Sequence, residues 1–187
     1  MEINHWKEPY PESLDELVME SETIAKHVSA ELVKAPRIRD LYDQESGKAC
    51  RVNNFFDKIG HLPNTKNTKT VKNDNDLSCV YVFGEEISGK VKPIYVGITR
   101  TFVNRLRNHG WGLGHSQATL AFLMAKNHHD ELHLRQDFPE ELIEPFREKV
   151  RSLRVAVWPV ENPYDLHFHE VAVAGILKTK WNTFKTH

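Results

Sequence analysis

Leu14, Leu17, Val18, Ile24, Val28 and Leu32 recur at helical spacing, which predicts a first helix that ends before Pro36. Ser13 and Glu16 form an S-x-x-E capping box at its start. Such a stripe is buried either on the rest of the chain or on a partner chain. Residues 38–56 show no clear period. His61–Asp76 is rich in Asn, Lys and Thr and reads as an exposed linker. From Leu77 the texture changes. Leu77–Phe83 ("LSCVYVF") and Pro93–Ile98 ("PIYVGI") are β-branched and aromatic, and predict an antiparallel hairpin whose longish loop is Gly84–Lys92. A short helix follows, with Thr101 as its N-cap and Gly110 as its C-terminal stop. Ser116 is placed to cap a second helix and Pro139 to open a third. Leu153–Val160 alternates as a third strand, and Asp165 starts a last helix, apolar on nearly all sides and so expected to be largely buried.

The order β-β-α-α-α-β-α predicts an α/β fold: a short, mainly antiparallel three-stranded sheet flanked by helices. An N-terminal helical extension and polar linker would occupy residues 1–77, and the main domain residues 78–187.

Composition adds bounds. The chain has 187 residues, of which 40% are hydrophobic and 27% charged, enough for a folded core. Its net charge of −1 gives no whole-chain sign of nucleic-acid binding, although a basic patch can sit on a neutral protein. Two cysteines far apart, Cys50 and Cys79, match neither a disulfide framework nor a zinc spacing, so a reducing, cytoplasmic setting is expected. The acidic N-terminus does not read as a secretory signal, and the apolar run Val171–Leu177 is too short to span a bilayer, so no membrane partner is expected.

The candidate chemistry starts on the helix after the hairpin. Phe102, Val103 and Leu106 form its core stripe, whereas Arg105 and His109, one turn apart, share another face. Arg107 points elsewhere, toward solvent. Gly97 leaves the end of the preceding strand open, and a guanidinium beside an open strand end suits a phosphate oxygen. A solvated helix with an incidental Arg–His pair is the plainer alternative. Tyr81 and Tyr95 lie centrally in the two hairpin strands and can share a face. They are either ordinary cross-strand packing or phenols placed to take a proton. Glu170 falls in an apolar helix and needs a partner there, a structural cation or a divalent metal such as magnesium. His167 and His169 lack the Cys or His pairs of a zinc site.

These pieces together resemble the GIY-YIG nuclease superfamily over Cys79–Asn182. Cys79–Tyr81 stands where that family has its first triplet, with Cys79 and Val80 in place of Gly-Ile, and Tyr95–Gly97 stands for the second. Arg105 falls on the family's helix arginine, His109 on its frequent histidine, Glu170 on its metal-binding glutamate and Asn182 on its closing asparagine. His115 lies in "GHSQATL", which resembles a further family segment. The spacings resemble the restriction-enzyme branch most. The resemblance implies a metal-dependent DNA endonuclease in which Glu170 holds Mg²⁺ or Mn²⁺ and Arg105 steadies the phosphate. Tyr81 would be the general base and Tyr95 would position the nucleophile. His109 would orient a tyrosine, Asn182 would fix the geometry, and Gly97 and His115 would adjoin phosphate. The expected partner is double-stranded DNA. Lys66, Lys69 and Lys72 are candidates for a basic arm, with Lys34–Arg39 adding to it, and the first helix is a candidate for homodimerisation. Other readings are a non-catalytic nucleic-acid or protein-binding module on the same scaffold, or an RNase.

Overall fold

The computed structural model describes residues 10–11, 13–45, 48–66, 75–113, 117–129 and 138–184. The first helix, α1 (Leu14–Leu32), starts at Ser13, whose hydroxyl accepts from the Glu16 N–H at 3.4 Å. It buries Leu17, Ser21, Ile24, Ala25, Val28 and Leu32. Leu14 and Val18 of the predicted stripe stay exposed, so the buried stripe is narrower near the helix start.

The unassigned stretch after α1 is structured. Ile38–Leu41 form a 3-10 turn, β1 (Tyr42–Glu45) and β2 (Lys48–Arg51) a hairpin, and α2 (Phe55–Ile59) a single short helix. Ile38, Leu41, Tyr42 and Phe55 enter the core. The segment read as an open linker is tied at its ends, because β3 (Thr65–Lys66) pairs with β4 (Asn75–Asp76).

The main sheet contains β5 (Cys79–Ile87), β6 (Lys90–Thr99) and β7 (Arg154–Pro159) in the order β6-β5-β7, all antiparallel. The predicted longish loop is a two-residue turn. Ser88 and Gly89 have φ of 51° and 75°, the left-handed pair that matches hairpin twist, and pairing runs out to Ile87 and Lys90. The register slips once, between Phe83 and Gly84, leaving Ile94 as the extra residue of a bulge.

The helices are α3 (Phe102–Trp111), α4 (Thr119–His128), α5 (Glu140–Ser152) and α6 (Pro163–Leu177). They cover both faces of the sheet. On the outer face α1 and α6 enclose Val80, Val82, Val96 and Ala156. On the inner face α3, α4, α5 and the 38–56 region enclose Cys79, Tyr81, Phe83, Val155 and Val157.

Two expected helix features change. α6 is buried along one face only, through Leu166, His169, Val173 and Ala174, while Val171 and Ile176 are exposed, because its other side has no layer over it. α3 continues past Gly110 to Trp111. Gly110 is instead a packing glycine: a Cβ there would come within 3.2 Å of the Arg151 side chain. Among the described residues no helix is long and apolar enough to cross a membrane.

Candidate active site

Tyr81 and Gly97 are direct cross-strand partners, as are Phe83 and Tyr95, so all four residues face the inner layer. The rings of Tyr81 and Tyr95 lie diagonally, 6.3 Å apart, and the Tyr81 ring also packs against Phe83 and Phe102. The space above Gly97 is therefore taken. A Cβ there would lie 2.4 Å from both Cζ and the hydroxyl of Tyr81. Gly97 makes room for the phenol, and not for a phosphate.

α3 aims Arg105 and His109 at this phenol. Tyr81 Oη is 2.8 Å from His109 Nε2, and Arg105 donates its Nε–H to the same oxygen at 3.3 Å. Arg105 has donors only, so the Tyr81 proton is directed to His109. The imidazole then carries its own proton on Nδ1, which has no partner among the described residues.

Burial pushes the Tyr81 hydroxyl well above the usual phenol range and the Tyr95 hydroxyl up as well, with Arg105 pulling both back. Burial, joined by the Arg105 charge, pushes His109 down to about 3, so it is neutral at physiological pH. The two phenols differ in access: Tyr81 is 1% exposed and closed off, whereas Tyr95 and Arg105 are partly open.

Glu170 reaches the same region from α6. Burial raises its carboxyl, and His167 and Arg105 offset this. It makes no hydrogen bond or salt bridge among the described residues. Asn182 closes the site from the C-terminal side. Its Nδ2 donates to the Val96 carbonyl and its Oδ1 accepts the Val96 N–H, both at 2.8 Å, while Thr179 donates to Oδ1. β6 is an edge strand, and this amide acts as a one-residue strand partner at its open side. Trp181 N–H adds a bond to the Ile94 carbonyl. Asn182 holds the strand that carries Tyr95 and Gly97.

Asp76 was hidden in the polar linker. Thr101 occupies the N-cap position of α3 but makes no side-chain cap bond. Asp76 Oδ1 takes that role, accepting from the N–H groups of Leu77 and Val103 at 2.8 and 2.9 Å. Its carboxylate lies at the positive end of α3, a favourable placement. The signal in the sequence was weak: an aspartate in the Asn-Asp pair just before the strand, masked by the ordinary N-cap candidate Thr101.

His115, Lys69 and Lys72 lie outside the described residues, as does the Ser116 cap, and only the backbone of Lys66 is described. The Lys34–Arg39 segment is not a free basic patch, because Lys34 pairs with Glu31, Arg37 with Glu86 and Arg39 with Glu148. His169 Nδ1 bonds Ser21 Oγ at 2.8 Å between α6 and α1, whereas His167 is exposed on the surface. Among the described residues no cluster of three or more His, Cys, Asp or Glu side chains is placed to hold a metal. No family model matches the chain, and no curated protein or solved structure matches it either.

Proposed function

We propose that the protein is a metal-dependent endonuclease that hydrolyses phosphodiester bonds of duplex DNA, of the GIY-YIG type. The observation that carries this reading is the directed chain from the Arg105 guanidinium through the Tyr81 hydroxyl to the unprotonated Nε2 of His109. A cation at the open end and a proton acceptor at the closed end suit a reaction that binds an anionic phosphate and releases a proton.

Arg105 binds a non-bridging phosphate oxygen and stabilises the charge of the in-line displacement. The phosphate then offsets the Arg105 charge that helps to hold His109 unprotonated, so His109 becomes more basic when substrate is bound. Tyr95, the more open phenol, orients the attacking water. Tyr81 keeps Arg105 in place and, as it takes up the proton released by the attacking water, passes its own proton to His109.

Glu170 fits a divalent ion: it is a half-buried, hard oxygen donor without a hydrogen bond or salt bridge among the described residues, and magnesium takes one or two carboxylates with its remaining positions on water and phosphate. When bound, the ion would act as a Lewis acid on the scissile phosphate.

One observation favours a second reading, a non-catalytic binding module. Tyr81 is sealed and both phenols are pushed away from ionisation. Plasmid nicking with Mg²⁺, against an EDTA control, decides between them. Cleavage lost in Glu170→Ala with DNA binding retained supports the nuclease, and full cleavage by that variant overturns the assignment. Parallel digestion of RNA and single-stranded DNA fixes the substrate.

A further inference from the structure

α3 has a second charged face. Arg107, set aside above as pointing to solvent, lies with Trp111 along a cleft bounded by the β1–β2 hairpin and α5. Lys48, Arg107, Arg147 and Arg151 line this cleft with Glu144, the only carboxylate among its described lining residues. Arg147 is 1% exposed. Its Nη1 reaches Glu140 and Glu144, but its Nε and Nη2 have no hydrogen-bond partner among the described residues. The indole Nε1 of Trp111 is likewise buried and has no partner among the described residues. The guanidinium of Arg151 lies 5.7 Å from the Trp111 ring centre and bonds Gly110 O, Glu144 and Glu148.

All three unmet groups are N–H donors, and neither a guanidinium nor an indole can accept. Leaving such donors buried and unmet is unfavourable. A water there would meet these donors and give its own hydrogens to Gln44, Asn108 or Gln117 of the lining, but it would not balance the positive charge of Lys48 and Arg107 at the rim. The group that matches is one with several acceptor oxygens and no donors, carrying negative charge. Lys48 and Arg107 are exposed at the rim, where they can meet a phosphate as it enters.

We infer that this cleft binds a phosphate group, on the side of α3 opposite Tyr81. The inference does not rest on the nuclease reading, because it uses none of that site's residues. The phosphate comes either from a free anion or from a nucleic-acid backbone.

The test is ¹⁵N NMR of the full chain, following the Trp111 indole N–H, identified by its loss in Trp111→Phe. Inorganic phosphate and a short DNA duplex are titrated separately. A saturable shift of this signal with either probe is expected, and which probe is tighter identifies the source. Arg107→Gln and Lys48→Gln, both surface changes, should each weaken the response by about tenfold, the size of one charge-assisted bond. A Trp111 signal unmoved by both probes, or titrations unchanged in both variants, would overturn the inference.

Discussion

Tyr81 stands directly across the sheet from Gly97, and its phenol fills the volume that any side chain at Gly97 would need. Gly97→Ala therefore pushes the ring off both His109 and Arg105. We expect a loss of about 1–3 kcal/mol in stability from overpacking, and with it the loss of most activity. Urea unfolding and nicking assays measure the two. An unchanged Tyr81–His109 contact in a structure of the variant would contradict the account.

His109 is held at about 3, below its ordinary 6.5. Its folded-state value is depressed, so the unfolded chain takes up the proton first as pH falls. Its contribution to stability is complete above about pH 6.5 and is lost progressively down to about pH 3. His169, lowered chiefly by burial, acts in the same sense. Urea midpoints from pH 7 to pH 4 should fall less steeply in His109→Gln than in the wild type, and an equal slope in both proteins would rule out this role.

Glu170 has the opposite sign. Its carboxyl is raised by burial, so ionisation at neutral pH disfavours the fold. Glu170→Gln should unfold at a higher temperature than the wild type. Mg²⁺ should raise the melting temperature of the wild type and leave Glu170→Gln unmoved. A metal response retained in the variant would place the ion elsewhere.

Asn182→Ala removes both bonds to Val96 and leaves that edge unpaired. A cost of about 1–3 kcal/mol is expected. Hydrogen exchange should report it as a selective loss of protection at the Val96 amide, with the β5–β7 amides little changed.

Asp76→Ala removes the α3 cap and should cost about 1–2 kcal/mol, while Asp76→Asn keeps an acceptor oxygen and should lose less. Because α3 carries Arg105 and His109, the kcat of a cleavage assay should fall in the same order. Equal losses in the two variants would show that the cap is not the cause.

The presence and order of the strands and helices from Cys79 onward were legible because their apolar periods are strong, whereas Gly84 and Gly110 misplaced two of their ends. That Arg105 and His109 share a face was legible from spacing, since one helical turn separates them, whereas their meeting with Tyr81 was an expectation of the family resemblance. Other features depend on register and distant partners. That Gly97 accommodates Tyr81 follows from one specific strand pairing. That Asp76 caps α3, and that Asn182 finishes the edge of β6, follows from tertiary contact alone. The 38–56 region was unreadable because its core residues, Ile38, Leu41, Tyr42 and Phe55, are scattered across a turn, a hairpin and a very short helix, none long enough to show a period.

The outer face of the sheet has one further consequence, for the order of events during synthesis. Ile24 and Val28 of α1 and Val173 of α6 share one cluster over Val80, Val82 and Val96. One half of that cover is made before the sheet and the other half after it. A chain still on the ribosome can form the β5–β6 hairpin and α1, but it keeps an apolar strip open until α6 emerges. The nascent protein is therefore most open to chaperones and to self-association in the interval between β7 and the end of α6.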